Sequence, residues 1–262
     1  MKSFSNAKII VTGAGSGIGM ELVRSLYPFS KRILAVDVSE EKIRNLKSDF
    51  PDLEGYLITD LSKKEGNEKI LCWVQNVWQD VDYCFANAGR AEYQAAEKQN
   101  WKEAESLFQL NVLSPIQLAM ELKTLFPKSA FQYVITCSAM AFWPVPGYSL
   151  YGATKAALLQ WAKTVWSEKS GDWLSLVFPI ATSTGFFAAA GNQIPRAFPV
   201  QKPELVANKI LLGAQKRKRK IFPSPMFKTM LLLDRFLFMV QPFYKRLEYH
   251  KLKNWLSKQT ES

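Results

Sequence analysis

The chain has 262 residues, 48% hydrophobic and 22% charged, enough apolar material to bury roughly three quarters of its unfolded surface and too much for a disordered chain. Three cysteines with no C-x-x-C pair and a single histidine, His250, suit neither a disulfide framework, nor a zinc centre, nor a Ser-His-Asp hydrolase, so no metal is expected. The net charge of +11 is concentrated in the C-terminal third, at Lys216-Arg217-Lys218-Arg219-Lys220 and between Lys245 and Lys258.

One large α/β domain over residues 1–223 is expected, followed by an apolar and basic C-terminal extension over 224–262. Cys84 and Cys137 fall inside apolar runs and read as buried thiols, which fits a reducing compartment. The first strand is expected near Ala7, with no cleaved leader before it.

In chain order, Lys8-Ile9-Ile10-Val11 is a short apolar strand. It runs into Thr12-Gly13-Ala14-Gly15-Ser16-Gly17-Ile18-Gly19, and a helical pattern carrying Met20, Leu22, Val23 and Leu26 follows. Strand, glycine turn and helix together predict a phosphate cradle: glycines let a pyrophosphate approach backbone N–H groups, and the helix N-terminus faces the negative charge. A second strand, Arg32 to Val36, ends in Asp37, 24 residues after Gly13. A carboxylate there can accept hydrogen bonds from the adenosine ribose hydroxyls and repels a 2′-phosphate. With no lysine or arginine in the glycine loop and Val38 after the acid, NAD is preferred and NADP is the lesser expectation.

Residues 40–50 read as helix, 55–59 as a third strand ending at Asp60-Leu61, and 64–79 as an amphipathic helix. A fourth strand, 82–86, runs into Asn87-Ala88-Gly89. A long helix over 100–126 carries Asn111 in its middle, a mediocre interior helix residue in an apolar stretch. The fifth strand, 132–137, ends at Ser138, and a loop with Phe142, Trp143, Pro144, Val145 and Pro146 follows. Next comes Tyr151-Gly152-Ala153-Thr154-Lys155, opening a helix that runs to about Ser167. Residues i and i+4 share a helix face, so the phenol and the ammonium project into one site. A charge at about 4 Å is worth roughly 4 kcal/mol at an effective dielectric near 20, enough to bring a phenol from ~10 towards neutrality. Leu158, Leu159, Trp161 and Trp166 on this helix suit either the core or a subunit interface. A sixth strand, 174–179, precedes Thr182, Ser183, Thr184, Gly185, Phe186 and Phe187. A helix over 203–215 and a short strand over 220–223 close the pattern.

Strands alternating with helices predict a doubly wound, Rossmann-type parallel sheet of about seven strands in a three-layer α/β/α arrangement. Ligands of such sheets bind beyond the carboxyl ends of the strands, where the glycine loop, Asp37, Asp60, Asn87, Ser138 and Thr184 all fall.

Together, Thr12-Gly13-x-x-x-Gly17-Ile18-Gly19, Asp60-Leu61, Asn87-Ala88-Gly89, Asn111, Ser138 and Tyr151-x-x-x-Lys155 resemble the short-chain dehydrogenase/reductase family over about residues 6–223. The resemblance implies that Tyr151 is general acid in reduction and general base in oxidation. It implies that Ser138 positions the substrate oxygen, that Lys155 lowers the tyrosine pKa and holds the nicotinamide ribose, and that Asn111 anchors a proton-relay water. It further implies a nicotinamide cofactor held by Gly13, Ser16, Gly17, Ile18, Gly19, Asp37, Asp60, Leu61, Asn87, Ala88, Gly89, Tyr151, Lys155 and Thr184. The sequence departs from the family at Pro179-Ile180, where Pro-Gly is usual.

The function expected is interconversion of a secondary alcohol and a ketone on an apolar, lipid-like substrate. Phe142, Trp143, Phe186 and Phe187 are the expected pocket walls beside Ser138, and Arg196 is the nearest arginine to them. The alternatives are an isomerase or dehydratase on the same fold, or a membrane-surface NAD-binding protein with little turnover. A homodimer or homotetramer in the cytoplasm is expected, with no nucleic-acid partner. Two readings stay open for the apolar run from Met230 to Val240 and its basic flanks: a pocket lid or subunit contact, or a peripheral membrane contact through 224–247. No stretch reaches the ~18 apolar residues of a spanning helix.

Overall fold

The computed structural model describes residues 4–127, 131–168, 171–188, 190–191, 193–237 and 240–260. Seven parallel strands form one sheet: β1 (Ile9–Thr12), β2 (Ile33–Asp37), β3 (Gly55–Ile58), β4 (Tyr83–Ala86), β5 (Gln132–Thr136), β6 (Leu174–Val177) and β7 (Lys220–Ile221). Their order across the sheet is β3-β2-β1-β4-β5-β6-β7. The order reverses between β1 and β4, and a crevice opens at such a point beyond the strand ends.

The sheet is buried on both faces, so its strands are apolar throughout rather than alternating with polar residues. Side chains still alternate in direction. Ile10, Leu34, Val36, Tyr133 and Ile135 enter one core, shared with α3 (Lys64–Val77), α5 (Ser114–Leu125) and α6 (Ser149–Ser167). Ile9, Val11, Ile33, Ala35 and Val134 enter the other, under α1 (Gly17–Leu26), α2 (Glu40–Asp49) and α8 (Pro203–Gln215). Leu158, Leu159 and Trp166 are buried in the first core, and Trp161 packs against it half-buried.

Local signals start the helices where they are expected. Ser39 caps α2 by accepting the Lys42 N–H, with Glu40 and Glu41 in the first turn. Asn100 caps α4 (Trp101–Phe108) by accepting the Lys102 and Glu103 N–H groups. The long helix expected over 100–126 is interrupted. After α4 the backbone takes a π-helical turn over Gln109–Leu113 before α5 resumes. Such turns mark single-residue insertions into a helix and are frequent at functional sites, and this one carries Asn111. The short α7 (Gly185–Ala188) follows β6.

Beyond β7 the chain forms α9 (Pro225–Leu237) and α10 (Val240–Thr260). Phe238 and Met239, at the end of the apolar run, lie outside the described residues. Leu252, Trp255 and Leu256 of α10 pack with Tyr93, Tyr148 and Tyr151 in a third apolar cluster.

The first turn of α5 is tied to β5 by Tyr133, whose hydroxyl donates to the Pro115 carbonyl at 2.8 Å in a fully buried setting. Tyr133→Phe removes that bond and leaves the carbonyl to its helix partner, and is expected to lower stability by roughly 0.5–1.5 kcal/mol, read as a lower urea midpoint. An unchanged midpoint would show that the bond contributes nothing.

Candidate active site

A cleft of about 490 Å³ lies along the carboxyl ends of the strands. It is lined from the glycine loop by Gly13, Ser16, Gly17 and Ile18, and from the strand ends by Asp37, Asp60, Asn87, Thr136 and Ser138. Tyr151, Lys155, Thr184, Phe186 and Phe187 complete it on the far side.

The glycine loop has the geometry a phosphate cradle requires. Gly13 and Gly17 adopt φ of 65° and 55°, the left-handed region that glycine enters without penalty. Gly19 needs its missing side chain for another reason: a Cβ there would lie 1.9 Å from the Gly13 carbonyl oxygen. The loop is tied to β4 by Thr12, whose Oγ1 accepts the Asn87 and Ala88 N–H groups at 3.1 and 3.0 Å. It is tied to β2 by Asp37, whose carboxylate accepts the Gly15 N–H at 2.9 Å and the Ser39 N–H at 3.0 Å. Open backbone, an adjacent helix N-terminus and a ribose-height carboxylate fit a dinucleotide. Thr184 stands opposite, close enough that a Cβ on Gly17 would meet its methyl at 2.9 Å. Ile180 lines the cleft without displacing it. Asp60 keeps its carboxyl below the usual range: burial pushes it up, but hydrogen bonds from Ser62 and the charges of Lys63 and Arg90 outweigh that.

The far end holds the titratable groups. Tyr151 and Lys155 lie one turn apart on α6, both buried. The Lys155 ammonium sits 5.6 Å from the Tyr151 ring centroid and donates to the Thr136 carbonyl at 3.0 Å. Burial pulls the Lys155 pKa down. Burial also pushes the Tyr151 phenol well above its usual value, against a smaller downward pull from the Ser138 hydroxyl. The expectation that Lys155 lowers this phenol is not met by the protein's own groups, because the ammonium is turned to the β5 carbonyl and desolvation dominates. Asn111 is fully engaged. Its amide donates to the Arg90 carbonyl at 2.9 Å and to Thr154 Oγ1 at 3.2 Å, and its oxygen accepts the Arg90 N–H at 3.0 Å. The π turn thereby ties the loop after β4 to α6. Gly89 lies between Asn111 and Lys155, where a Cβ would be 3.1 Å from Asn111 Oδ1 and 3.7 Å from Lys155 Nζ.

Not every expected residue arrives. Phe142 packs on Phe178 and Phe222, and Trp143 on Phe227 and Tyr244. Neither is among the cleft-lining residues. Those two aromatics pack on Phe227 of α9 and Tyr244 of α10, so part of the C-terminal segment is buried against the loop after β5. Phe186 and Phe187 do line the cleft, with Phe186 5.9 Å from the Tyr151 ring. Arg196 is not among the lining residues either, and its carbonyl accepts from Lys251. Sequence reasoning missed Tyr93, Tyr148 and Trp255, which stack in series behind Tyr151 at centroid distances of 6.1, 4.8 and 5.0 Å. Tyr148, three residues before Tyr151, was the available signal. It also missed two cleft-lining cations. Arg90 pairs with Glu103, and Lys42 reaches from α2 to Ser16 Oγ at 3.4 Å.

A doubly wound sheet with a glycine cradle at its switch point, and a tyrosine, lysine and serine at the cleft's far end, defines a dinucleotide-binding α/β protein. The family model described as short chain dehydrogenase matches residues 7–192, and the chain belongs to the short-chain dehydrogenase/reductase family. It is 32% identical over 165 residues to a 1,2-dihydroxy-1,2-dihydronaphthalene dehydrogenase of Ralstonia sp., a match spanning 60% of this chain and 62% of that protein. The protein of the same name from Pseudomonas putida is 27% identical over 241 residues, spanning 81% and 92%. Among solved structures, a family member from Burkholderia phymatum in complex with NAD superposes with a TM-score of 0.76 at 19% identity, covering 90% of this chain and 95% of that one. One from Sphingobium yanoikuyae in complex with NADPH gives 0.73 at 22%, covering 88% and 94%. These structural likenesses speak to the fold.

The tyrosines around this site make its alkaline behaviour predictable. Burial raises Tyr93 and Tyr244 to about 12, and raises Tyr148 and Tyr151 further. Their neutral forms are the ones the fold favours. Their contribution to stability is therefore intact below the usual phenol value of ~10 and is lost as pH climbs towards the folded values. The melting temperature should fall above about pH 10, and part of the tyrosinate absorbance at 295 nm should appear only with unfolding. Complete ionisation near pH 10 with the near-ultraviolet circular dichroism intact would contradict this burial.

Proposed function

We propose that this protein is an NAD(P)-dependent oxidoreductase that interconverts a secondary alcohol and a ketone on an apolar substrate. The observation that carries the reading is the meeting of Ser138, Tyr151 and Lys155 at one end of a cleft whose other end is a glycine cradle. A bound nicotinamide would supply or accept the hydride; the protein's part is orientation and proton handling. Ser138 donates to the substrate oxygen and places it against the phenol. Tyr151, held protonated by its burial, gives its proton to the carbonyl oxygen in reduction and takes one back in oxidation. Lys155 has N–H donors beyond the one given to Thr136, directed to the ribose hydroxyls. Asn111 keeps the loop after β4 in register with α6 and supports a proton path to solvent.

The substrate side supports an apolar alcohol. Tyr151 is enclosed by Tyr148, Phe186 and Phe187, and the related dehydrogenases are named for a dihydroxylated dihydronaphthalene, an apolar bicycle bearing hydroxyls. For the cofactor, Asp37 favours the unphosphorylated ribose of NAD, while Lys42 narrows that preference by placing an ammonium beside Ser16. Residues 1–223 form the binding and catalytic unit in this reading, and 224–262 back its substrate side through Trp255, which packs on Tyr93. A homodimer or homotetramer completes it.

Tyr151→Phe is expected to remove nearly all turnover on a panel of cyclic and long-chain ketones while leaving NADH affinity within about twofold of wild type, since the phenol acts in the transition state. Retained turnover would end the acid/base assignment. Because burial holds the phenol protonated, reduction should be flat through neutral pH and oxidation should rise as pH is raised. NADH is expected to bind more tightly than NADPH, and Lys42→Met should widen the gap by about tenfold, roughly one charge-assisted contact. A NADPH/NADH ratio of dissociation constants unchanged in the variant would remove Lys42 from cofactor selection.

A further inference from the structure

On the edge of the sheet formed by β7, a second depression of about 290 Å³ is ringed by Lys209, Lys216, Lys218, Lys220 and Lys228. Its floor is apolar, made by Leu212, Gly213, Ile221 and Phe222, and it shares no lining residue with the catalytic cleft. None of the five lysines has an ion-pair partner among the described residues. Their mutual repulsion is therefore met only by solvent, by the α8 C-terminus beside Lys216, and by the Trp166 ring 5.9 Å from Lys220. Burial and the neighbouring Lys163 pull Lys220 down, as expected where cations crowd.

The helices flanking this depression share one outward pattern. On α8 the exposed residues Leu205, Lys209, Leu212 and Lys216 stand at i, i+4, i+7 and i+11, one stripe of alternating leucine and lysine. On α9 the exposed pair Lys228 and Leu232 stands at i and i+4, one face that carries a lysine of the depression and a leucine 53% exposed. Isolated surface leucines need no explanation. Leucines interleaved with unpaired lysines on two adjacent helices have the composition of an interfacial segment, in which ammonium groups meet lipid phosphates and apolar tips enter the acyl boundary. Among the described residues the aromatic lining the depression, Phe222, is half-buried and packs on Phe142 and Phe178, which disfavours stacking on bases. Among the described residues no helix is long and apolar enough to cross a bilayer, so the contact lies on the surface.

We propose that the α8–β7–α9 face docks on an anionic phospholipid bilayer, with the five-lysine depression seating headgroup phosphates and Leu205, Leu212 and Leu232 dipping below them. The inference is independent of the catalytic reading and concerns residues outside the cleft. The test is vesicle flotation of the full chain with phosphatidylcholine alone and with added phosphatidylglycerol, alongside duplex DNA and inorganic pyrophosphate as competitors. NADH affinity and melting temperature serve as folding controls. Binding is expected only with the anionic vesicles and should weaken as salt is raised. It should drop about fivefold for each of Lys209→Gln, Lys216→Gln and Lys228→Gln. Leu212→Ser with Leu232→Ser should weaken what binding survives high salt. No flotation, equal flotation with neutral vesicles, or lysine variants that bind as wild type would each overturn the proposal. Displacement by DNA or pyrophosphate at concentrations where phospholipid competes no better would also overturn it, reassigning the depression to nucleic acid or soluble phosphate.

Discussion

The candidate site depends on one desolvated ammonium. Lys155 is 3% exposed and gives one hydrogen bond to the Thr136 carbonyl at the end of β5. A buried cation is costly unless its donors are satisfied, and the carbonyl accounts for one of three. The surroundings are arranged around that deficit. Gly89 leaves room beside Nζ, Asn111 binds the Gly89-Arg90 segment at both Arg90 backbone groups, and Cys137 donates to the Lys155 carbonyl to hold the helix against β5. Lys155 also lines the cleft, so its ammonium is the charged group at that end of the crevice.

The same logic explains why burial outweighs the neighbouring ammonium at the Tyr151 phenol. A phenol and an ammonium on one helix face are a turn apart, but burial acts on both in opposite senses: it favours neutral tyrosine and neutral lysine. With the ammonium 5.6 Å from the ring centroid and bonded elsewhere, Coulomb attraction does not overcome desolvation. The simple estimate from spacing placed the charge at ~4 Å and omitted desolvation altogether. The arrangement therefore starts as a proton donor, and charge entering the cleft is what can shift the balance.

Much of this was legible in the sequence because local chemistry and global position agree. A strand running into Gly13, Gly17 and Gly19 needs no tertiary information to be read as a cradle, and the seven strands fall within a residue or two of their expected ends. What stayed hidden depends on contacts distant in sequence. The π turn at Asn111 follows from bonds to Arg90 and Thr154, and helix periodicity reads straight through it. Phe142 and Trp143 were assigned to the pocket because they follow Ser138, yet Phe178, Phe222 and Phe227 offer them a larger apolar partner. Lys42 sits 26 residues from Ser16. No motif in the glycine loop announces it, since the loop's charge environment is completed by another helix.

The C-terminal helices join the Tyr151 phenol to the rest of the surface. From Tyr151 the aromatic contacts run through Tyr148 and Tyr93 to Trp255 on α10, and α10 is linked to the loop after β5 through Gln241 and Tyr244. The aromatic wall beside Tyr151 is thus held in part by a segment that contributes nothing to the sheet, and in part by Phe186 and Phe187 of α7. The glycine cradle, by contrast, is tied to β2 and β4 through Asp37 and Thr12, so the two ends of the cleft rest on different parts of the chain.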